Sequence, residues 1–451
     1  MDDQHRVLRR TAELASAYLG SLETRPVVGP VDLRALRAAM GAGTPLPDAP
    51  TDPVSVVEDL AAAAEPGLVG SAGPRYFGFV VGGGVPAAVG ADWLASAWDQ
   101  NAGLYALSPA AADAEEVAAA WLVELLDLPA GTSVGFVTGA TMATFTALAA
   151  ARHGVLARVG WDVERHGLQG APPVTVVTHE GSHVTVYASL QMLGLGREGE
   201  GVRTIAADEQ GRMRPEALRE TLARIDGPAI VCAQAGNVNT GGFDPLREII
   251  GIARERGAWV HVDGAFGIWA AAVPSLQPLI DGYRDADSWS TDAHKWLNVP
   301  YDSGIVFVRD AEAHHGAMRL GAGYYIETAG AERDGYNWVP ESSRRARGFA
   351  VMAALRSLGR EGIVALIERD CAHARRMAAA LAAAPRVTIL NEVVLNQTLV
   401  RFEGLDGDDE AGDRRTRGDR SGPAGGHLLA RRDHVARTGR DAVLRFRLAD
   451  D

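Results

Sequence analysis

The chain has 451 residues, a mass of 47.6 kDa and a net charge of -13, from 44 Lys plus Arg against 57 Asp plus Glu. Hydrophobic residues make up 47% and charged residues 22%, an ordinary globular composition, and the acidic balance lacks the basic stripe of a nucleic-acid binder. Two cysteines, Cys232 and Cys371, are too few for a disulfide scaffold or a multi-cysteine zinc site and point to reduced thiols in a cytoplasmic protein.

No apolar core follows the opening MDDQHRVLRR, so no secretory signal is expected. The longest uncharged stretch, 76–91, is too short and too broken by glycines and Pro86 to span a bilayer. Neither a nucleic-acid nor a membrane partner is expected. The 44 basic residues include one lysine, Lys295; the rest are arginine. Arginine carries charge but does not readily give up its proton, whereas a deprotonated lysine amine can attack a carbonyl.

Residues 1–65 read as a helical arm broken by a Pro/Gly-rich connector at 29–53. Residues 113–128 carry apolar positions at helical spacing, with acids early, where the helix dipole favours them. An alternation then begins. Strands are expected at 134–137, 174–178, 202–206, 229–233, 258–262 and 304–308, with helices over 141–155, 183–194, 214–225 and 245–257. Short apolar strands alternating with helices predict an α/β fold with a mostly parallel sheet buried on both faces.

Residues 344–384 read as helical and 387–402 as two strands of a smaller α+β domain. The resulting division is an arm at 1–65, a large domain at 66–310, a lid loop and small domain at 311–404, and an atypical tail at 405–451. The tail lacks apolar periodicity and resembles a disordered linker.

The chemistry concentrates in HVDGAFG (261–267) and STDAHKWLNVPYDSG (290–304). Asp263 directly follows a strand, where ligands of open α/β sheets collect. A carboxylate there and a lone lysine amine fit pyridoxal phosphate (PLP): the lysine would hold the cofactor as a Schiff base, and the aspartate would keep the ring nitrogen protonated. The weaker alternative is a surface lysine and a helix-capping aspartate. TGATM (138–142) turns from a strand into a helix, and the free N–H groups there can bind phosphate. An N-capped helix without a ligand would look the same.

HEGSH (179–183) matches the zinc-protease pattern HExxH. That pattern needs both histidines on one helix face. Here it follows a strand and contains Gly181, so a strand-to-helix turn is expected, without a metal. GGGVPA (82–87) satisfies a dinucleotide fingerprint, but Pro86 and the missing acidic partner favour a flexible apolar turn near the substrate entrance.

These segments, with RYFGF (75–79) and LSPAAADAEE (107–116), resemble the PLP-dependent group II amino-acid decarboxylases in family order from about 75 to 402. The resemblance implies an aspartate-aminotransferase-like (fold type I) architecture, a homodimer, and decarboxylation of an L-amino acid to the amine and CO2. It implies catalytic roles for Lys295, His183, Asp263 and Tyr324, with His183 stacking on the pyridine ring. Gly139, Ala140 and Thr141 would hold the phosphate, with Ser288 helping from the other side; Ala265 and His294 would complete the cofactor site. Tyr324, with Tyr325 as runner-up, lies in a polar, Gly-rich loop (321–348) that in the family carries a tyrosine protonating the product carbon.

Phe79, Asn101 and Gly103 are expected at the substrate pocket, where Asn101 and Gly103 replace the bulky apolar residues of the aromatic enzymes. Asp292 replaces the family's asparagine before the His-Lys pair. Aldehyde formation, transamination and an impaired homologue remain alternatives. The tail departs from the family, and GHLLARRDHVAR can be encoded by codons that read GTCWLGGTTWHG one base over, which suggests a shifted frame.

Overall fold

The computed structural model describes residues 3–320 and 332–402. The arm comprises α1 (Asp3–Ser21), α2 (Leu33–Ala39) and α3 (Pro53–Ala64). Its starts are written in the sequence: Asp32 accepts from the N–H groups of Arg34 and Ala35, and Asp52 caps α3 ahead of Pro53. After an irregular stretch come α4 (Pro86–Trp98) and α5 (Pro109–Leu125), the latter capped by Ser108.

The main sheet then begins. In chain order its elements are β1 (Ser133–Val137), α6 (Ala140–Ala157), α7 (Val163–His166), β2 (Thr175–His179), α8 (Val184–Met192), β3 (Val202–Ile205), α9 (Pro215–Leu222), β4 (Ala229–Gln234), α10 (Leu246–Glu255), β5 (Trp259–Asp263), β6 (Ser288–Asp292) and β7 (Gly304–Val308). α11 (Ala311–Met318) and the long α12 (Gly348–Ala382) follow, then β8 (Val387–Ile389) and β9 (Val400–Phe402).

Seven strands lie in the order β1-β7-β6-β5-β4-β2-β3. All neighbours are parallel except β7, which runs against both β1 and β6. The expected α/β class with a mostly parallel sheet is what the chain adopts. Every residue of β1, β4, β5, β6 and β7 is buried, as a sheet covered on both faces requires.

Side chains alternate across the sheet. Val231, Val260, Ile305 and Phe307 join one apolar cluster with Leu122, Trp269 and Val351. Ile230, Trp259, Val306 and Val308 join a second with Leu148 and Val155 of α6. α6 approaches closely because a Cβ on Gly154 would lie 2.8 Å from the Trp259 ring. β8 and β9 form the small antiparallel sheet.

The structure differs from expectation in three places. The sequence gives no hint of β6, which fills the gap between β5 and β7. The helix expected over 344–384 starts at Gly348 and is interrupted at Gly359, whose φ of 60° suits glycine. The GGGVPA turn follows no strand and is tightly packed: a Cβ on Gly82 would meet the His294 carbonyl oxygen at 2.1 Å. The tail at 405–451 lies outside the described residues.

Candidate active site

Ligands of open α/β sheets gather at the carboxyl ends of the strands. Here those ends enclose a pocket of about 260 Å3. Nine residues expected from the sequence line it: Phe79, Gly139, Ala140, Thr141, His183, Asp263, Ala265, His294 and Lys295.

Lys295 owes its place to the reversal of β7. The loop from β6 to β7 leaves and rejoins the same end of the sheet, pinned by the Ala293 N–H on the Ser303 carbonyl at 3.1 Å. Trp296, Leu297 and Val299 are buried and anchor it. Lys295 Nζ lies 2.8 Å from Asp292 Oδ2 and 5.9 Å from the centre of the Phe266 ring.

Asp263 ends β5 and is 7% exposed. Its Oδ1 accepts from the Ala265 N–H at 3.1 Å. Ala265 is held in turn through its carbonyl, which accepts from the Asp292 N–H at 3.0 Å. The glycines of this motif permit close approach: a Cβ on Gly267 would fall 2.1 Å from the Ala235 carbonyl oxygen.

The α6 N-terminus forms another wall. Gly139 is the N-cap, and a Cβ there would come within 3.4 Å of Asp292 Oδ1 and 3.6 Å of His294 Cε1. The Ala140 N–H donates to Asp292 Oδ1 at 2.5 Å. The first N–H groups of a helix have no acceptor within it, so this wall suits an anion.

His183 caps α8: its Nδ1 accepts from the Thr185 N–H at 3.4 Å and lies 2.7 Å from Thr185 Oγ1. His179 ends β2, fully buried, with Nε2 3.4 Å from Asp244 Oδ2. The two histidines of HEGSH thus occupy a strand end and a helix cap, as the turn reading expects. Burial raises the Asp244 pKa. Burial also lowers that of His294, against the pull of Asp292.

Residues that the sequence reading passed over complete the pocket. Gln234 ends β4 in register with Asp263. Thr185, Gly236, Val238, Phe266 and Tyr301 also line it, and the Tyr301 ring sits 4.2 Å from that of His294. Gln234 could have been found by the strand-end rule that found Asp263. The Gln234 amide nitrogen and His294 Nδ1 are buried without a hydrogen-bond partner, which is what a polar cofactor would satisfy. An amine, a carboxylate, two flanking rings and a helix N-terminus around these groups fit PLP.

Three expected residues lie elsewhere. Ser288 begins β6, four residues before Asp292 at the pocket, so roughly 13 Å down the strand. Its Oγ accepts from Trp259 Nε1 at 2.9 Å, and the residue is fully buried outside the pocket lining. Asn101 and Gly103 do not line the pocket either. Asn101 Oδ1 accepts from the N–H groups of Gly103 at 2.9 Å and Arg344 at 3.2 Å. A Cβ on Gly103 would meet the Ser342 carbonyl oxygen at 2.3 Å, so this glycine serves close backbone packing. Tyr324 and Tyr325 lie outside the described residues.

Known proteins resemble this chain in sequence and fold. The family model of the pyridoxal-dependent decarboxylase conserved domain matches residues 38–403. Aromatic-L-amino-acid decarboxylase of Sus scrofa is 30% identical over 87% of this chain and 83% of its own length. L-2,4-diaminobutyrate decarboxylase of Rhizobium meliloti is 31% identical over 70% of this chain and 62% of its own. Among solved structures, Oryza sativa TDC with PLP and tryptamine superposes with a TM-score of 0.87 at 26% identity, covering 99% of this chain and 93% of that one. Rhodiola rosea 4-hydroxyphenylacetaldehyde synthase shares the fold, with a TM-score of 0.85 at 23% identity over 99% of this chain and 94% of its own. The chain belongs to the pyridoxal-dependent decarboxylase family, carboxy-lyases with PLP as cofactor.

Proposed function

We propose that the protein decarboxylates an L-amino acid to its amine, with Lys295 as the residue that holds PLP through a Schiff base. The observation that carries this reading is the chain's single lysine facing a pocket it shares with Asp263, His183 and the α6 N-terminus. Bound there, PLP supplies an electron sink for the pair left behind when CO2 departs.

The residues divide the remaining work. Asp263 holds a proton on the ring nitrogen, and its own orientation is set by the Ala265 N–H. His183 would stack on the ring, and Ala265 would help to hold the cofactor. The Gly139–Ala140–Thr141 turn at the α6 N-terminus would receive the phosphate, beside the Ala140 N–H that Asp292 holds. His294, beside Lys295, steers the amine. Phe79 borders the substrate, and Tyr324 or His183 delivers the proton to the α carbon. Lys295 would be the amine that displaces the product and takes back the cofactor.

A homodimer belongs to the same proposal. The three arm helices bury no residue within the chain, and α4 exposes Trp93, Leu94 and Trp98. A cytoplasmic location is supported by two buried, unpaired cysteines. No described helix is long and apolar enough to cross a membrane.

The test begins with absorbance. Purified protein loaded with PLP is expected to show the visible band of lysine-bound cofactor, and Lys295→Ala to lack it. A wild type without the band would refute the reading. A panel of amino acids is then assayed for CO2, with ammonia and hydrogen peroxide measured alongside. Release of CO2 and amine alone supports decarboxylation, whereas aldehyde with ammonia and peroxide would replace it by aldehyde formation.

A further inference from the structure

Asp292 stands where the resemblance leads one to expect an asparagine, and its surroundings use the charge. It is 3% exposed and ends β6. Its two oxygens are divided between two electropositive groups. Oδ1 accepts from the Ala140 N–H at the start of α6, at 2.5 Å, with His294 Nε2 3.5 Å away. Oδ2 lies 2.8 Å from Lys295 Nζ. The backbone fixes the carboxylate from behind, because the Asp292 N–H donates to the Ala265 carbonyl at 3.0 Å. Gly139 lies directly beside it: a Cβ there would reach van der Waals contact with Oδ1, at 3.4 Å.

An asparagine could keep the bond to Ala140 but could not neutralise the lysine. A buried carboxylate in direct contact with a nitrogen favours that nitrogen's protonated form.

We propose that Asp292 is a positioning residue for Lys295: a buried counter-ion that draws Nζ toward the α6 N-terminus and favours the charged form of the nitrogen's link to the cofactor. This rests on the assignment of Lys295 as the PLP lysine. Other ionisable groups facing the pocket are Asp263 at the end of β5, His183 at the cap of α8, and His294 and Tyr301 in the β6–β7 loop. Asp302 adds its field to His294 from the same loop. All of these are retained in the sequence when residue 292 alone is changed, so a difference between wild type and variant reports on the loss of the Asp292 charge.

The experiment follows the visible band of the PLP-loaded protein as a function of pH. In Asp292→Asn the band is expected to change form at a pH lower by about one unit or more, with a thermal unfolding midpoint near that of the wild type. A transition at the wild-type pH would overturn the proposal. Should Asp292→Asn not reach the folded state, Asp292→Ser, which keeps an acceptor without the charge, is read in the same way. Failure of the underlying assignment is distinguishable: the wild type itself would then form no band.

Discussion

His261 stands two residues before Asp263 on β5, on the same face of the sheet. It is fully enclosed, with Nδ1 3.1 Å from Ser288 Oγ. Burial lowers its pKa to about 4, although the Asp263 charge pulls the other way. The unfolded chain therefore takes up this proton first, near pH 6.5. Its contribution to stability is complete above that pH and is lost as pH falls toward 4. The loss amounts to roughly 3 kcal/mol between pH 7 and pH 4. Denaturant unfolding at both pH values should show the wild type losing about that much more than His261→Asn. Parallel losses in the two proteins would mean that His261 is already charged in the fold.

The elements around the pocket are tied together by one cation. Arg344, just before α12, is 5% exposed and makes a two-pronged pair with Glu115 of α5, at 2.9 and 2.6 Å. It also donates to the carbonyls of Ala102 at 2.7 Å and Phe136 of β1 at 2.9 Å. Removing it strands a largely buried carboxylate and two carbonyls. Arg344→Ala is expected to cost about 3–5 kcal/mol, read as a lower denaturant midpoint. Arg344→Lys should recover only part of this, because an ammonium lacks the planar fork.

The same elements show what the sequence could tell. Strands with apolar runs, such as 229–233 and 304–308, were legible because burial on both faces leaves a plain signature. β6 was not: Ser288, Ser290 and Thr291 are polar yet buried, satisfied by Trp259, by Thr144 Oγ1 at 3.0 Å and by the Ala265 carbonyl at 3.3 Å. Missing β6 also misplaced Ser288, since its end of the strand depends on register. Lys295, Asp263, His183 and 139–141 were legible because each sits in a local motif at a strand end. Gln234 and Tyr301 reach the pocket only through pairing and loop closure.

At the scale of the molecule, the unshielded side of the arm is the conspicuous feature. Leu8 and Leu19 of α1 are 56% and 51% exposed, and Leu94 and Trp98 of α4 are 48% and 50% exposed. Apolar surface of this kind marks an interaction site. Sedimentation should give a species of twice the 47.6 kDa chain mass. Leu94→Arg should weaken that association by about tenfold or more, ~1.4 kcal/mol; a monomeric wild type would refute the homodimer.

Lys295 has one more consequence, for measurement rather than mechanism. Its side chain is 19% exposed at the pocket and is the only side-chain primary amine in the protein. An amine-directed mass tag therefore has one interior target beside the α-amino group. On the proposed attachment at Nζ, bound cofactor would block that target, and the tag count would read occupancy directly, molecule by molecule. The surface, clothed in arginine, stays silent.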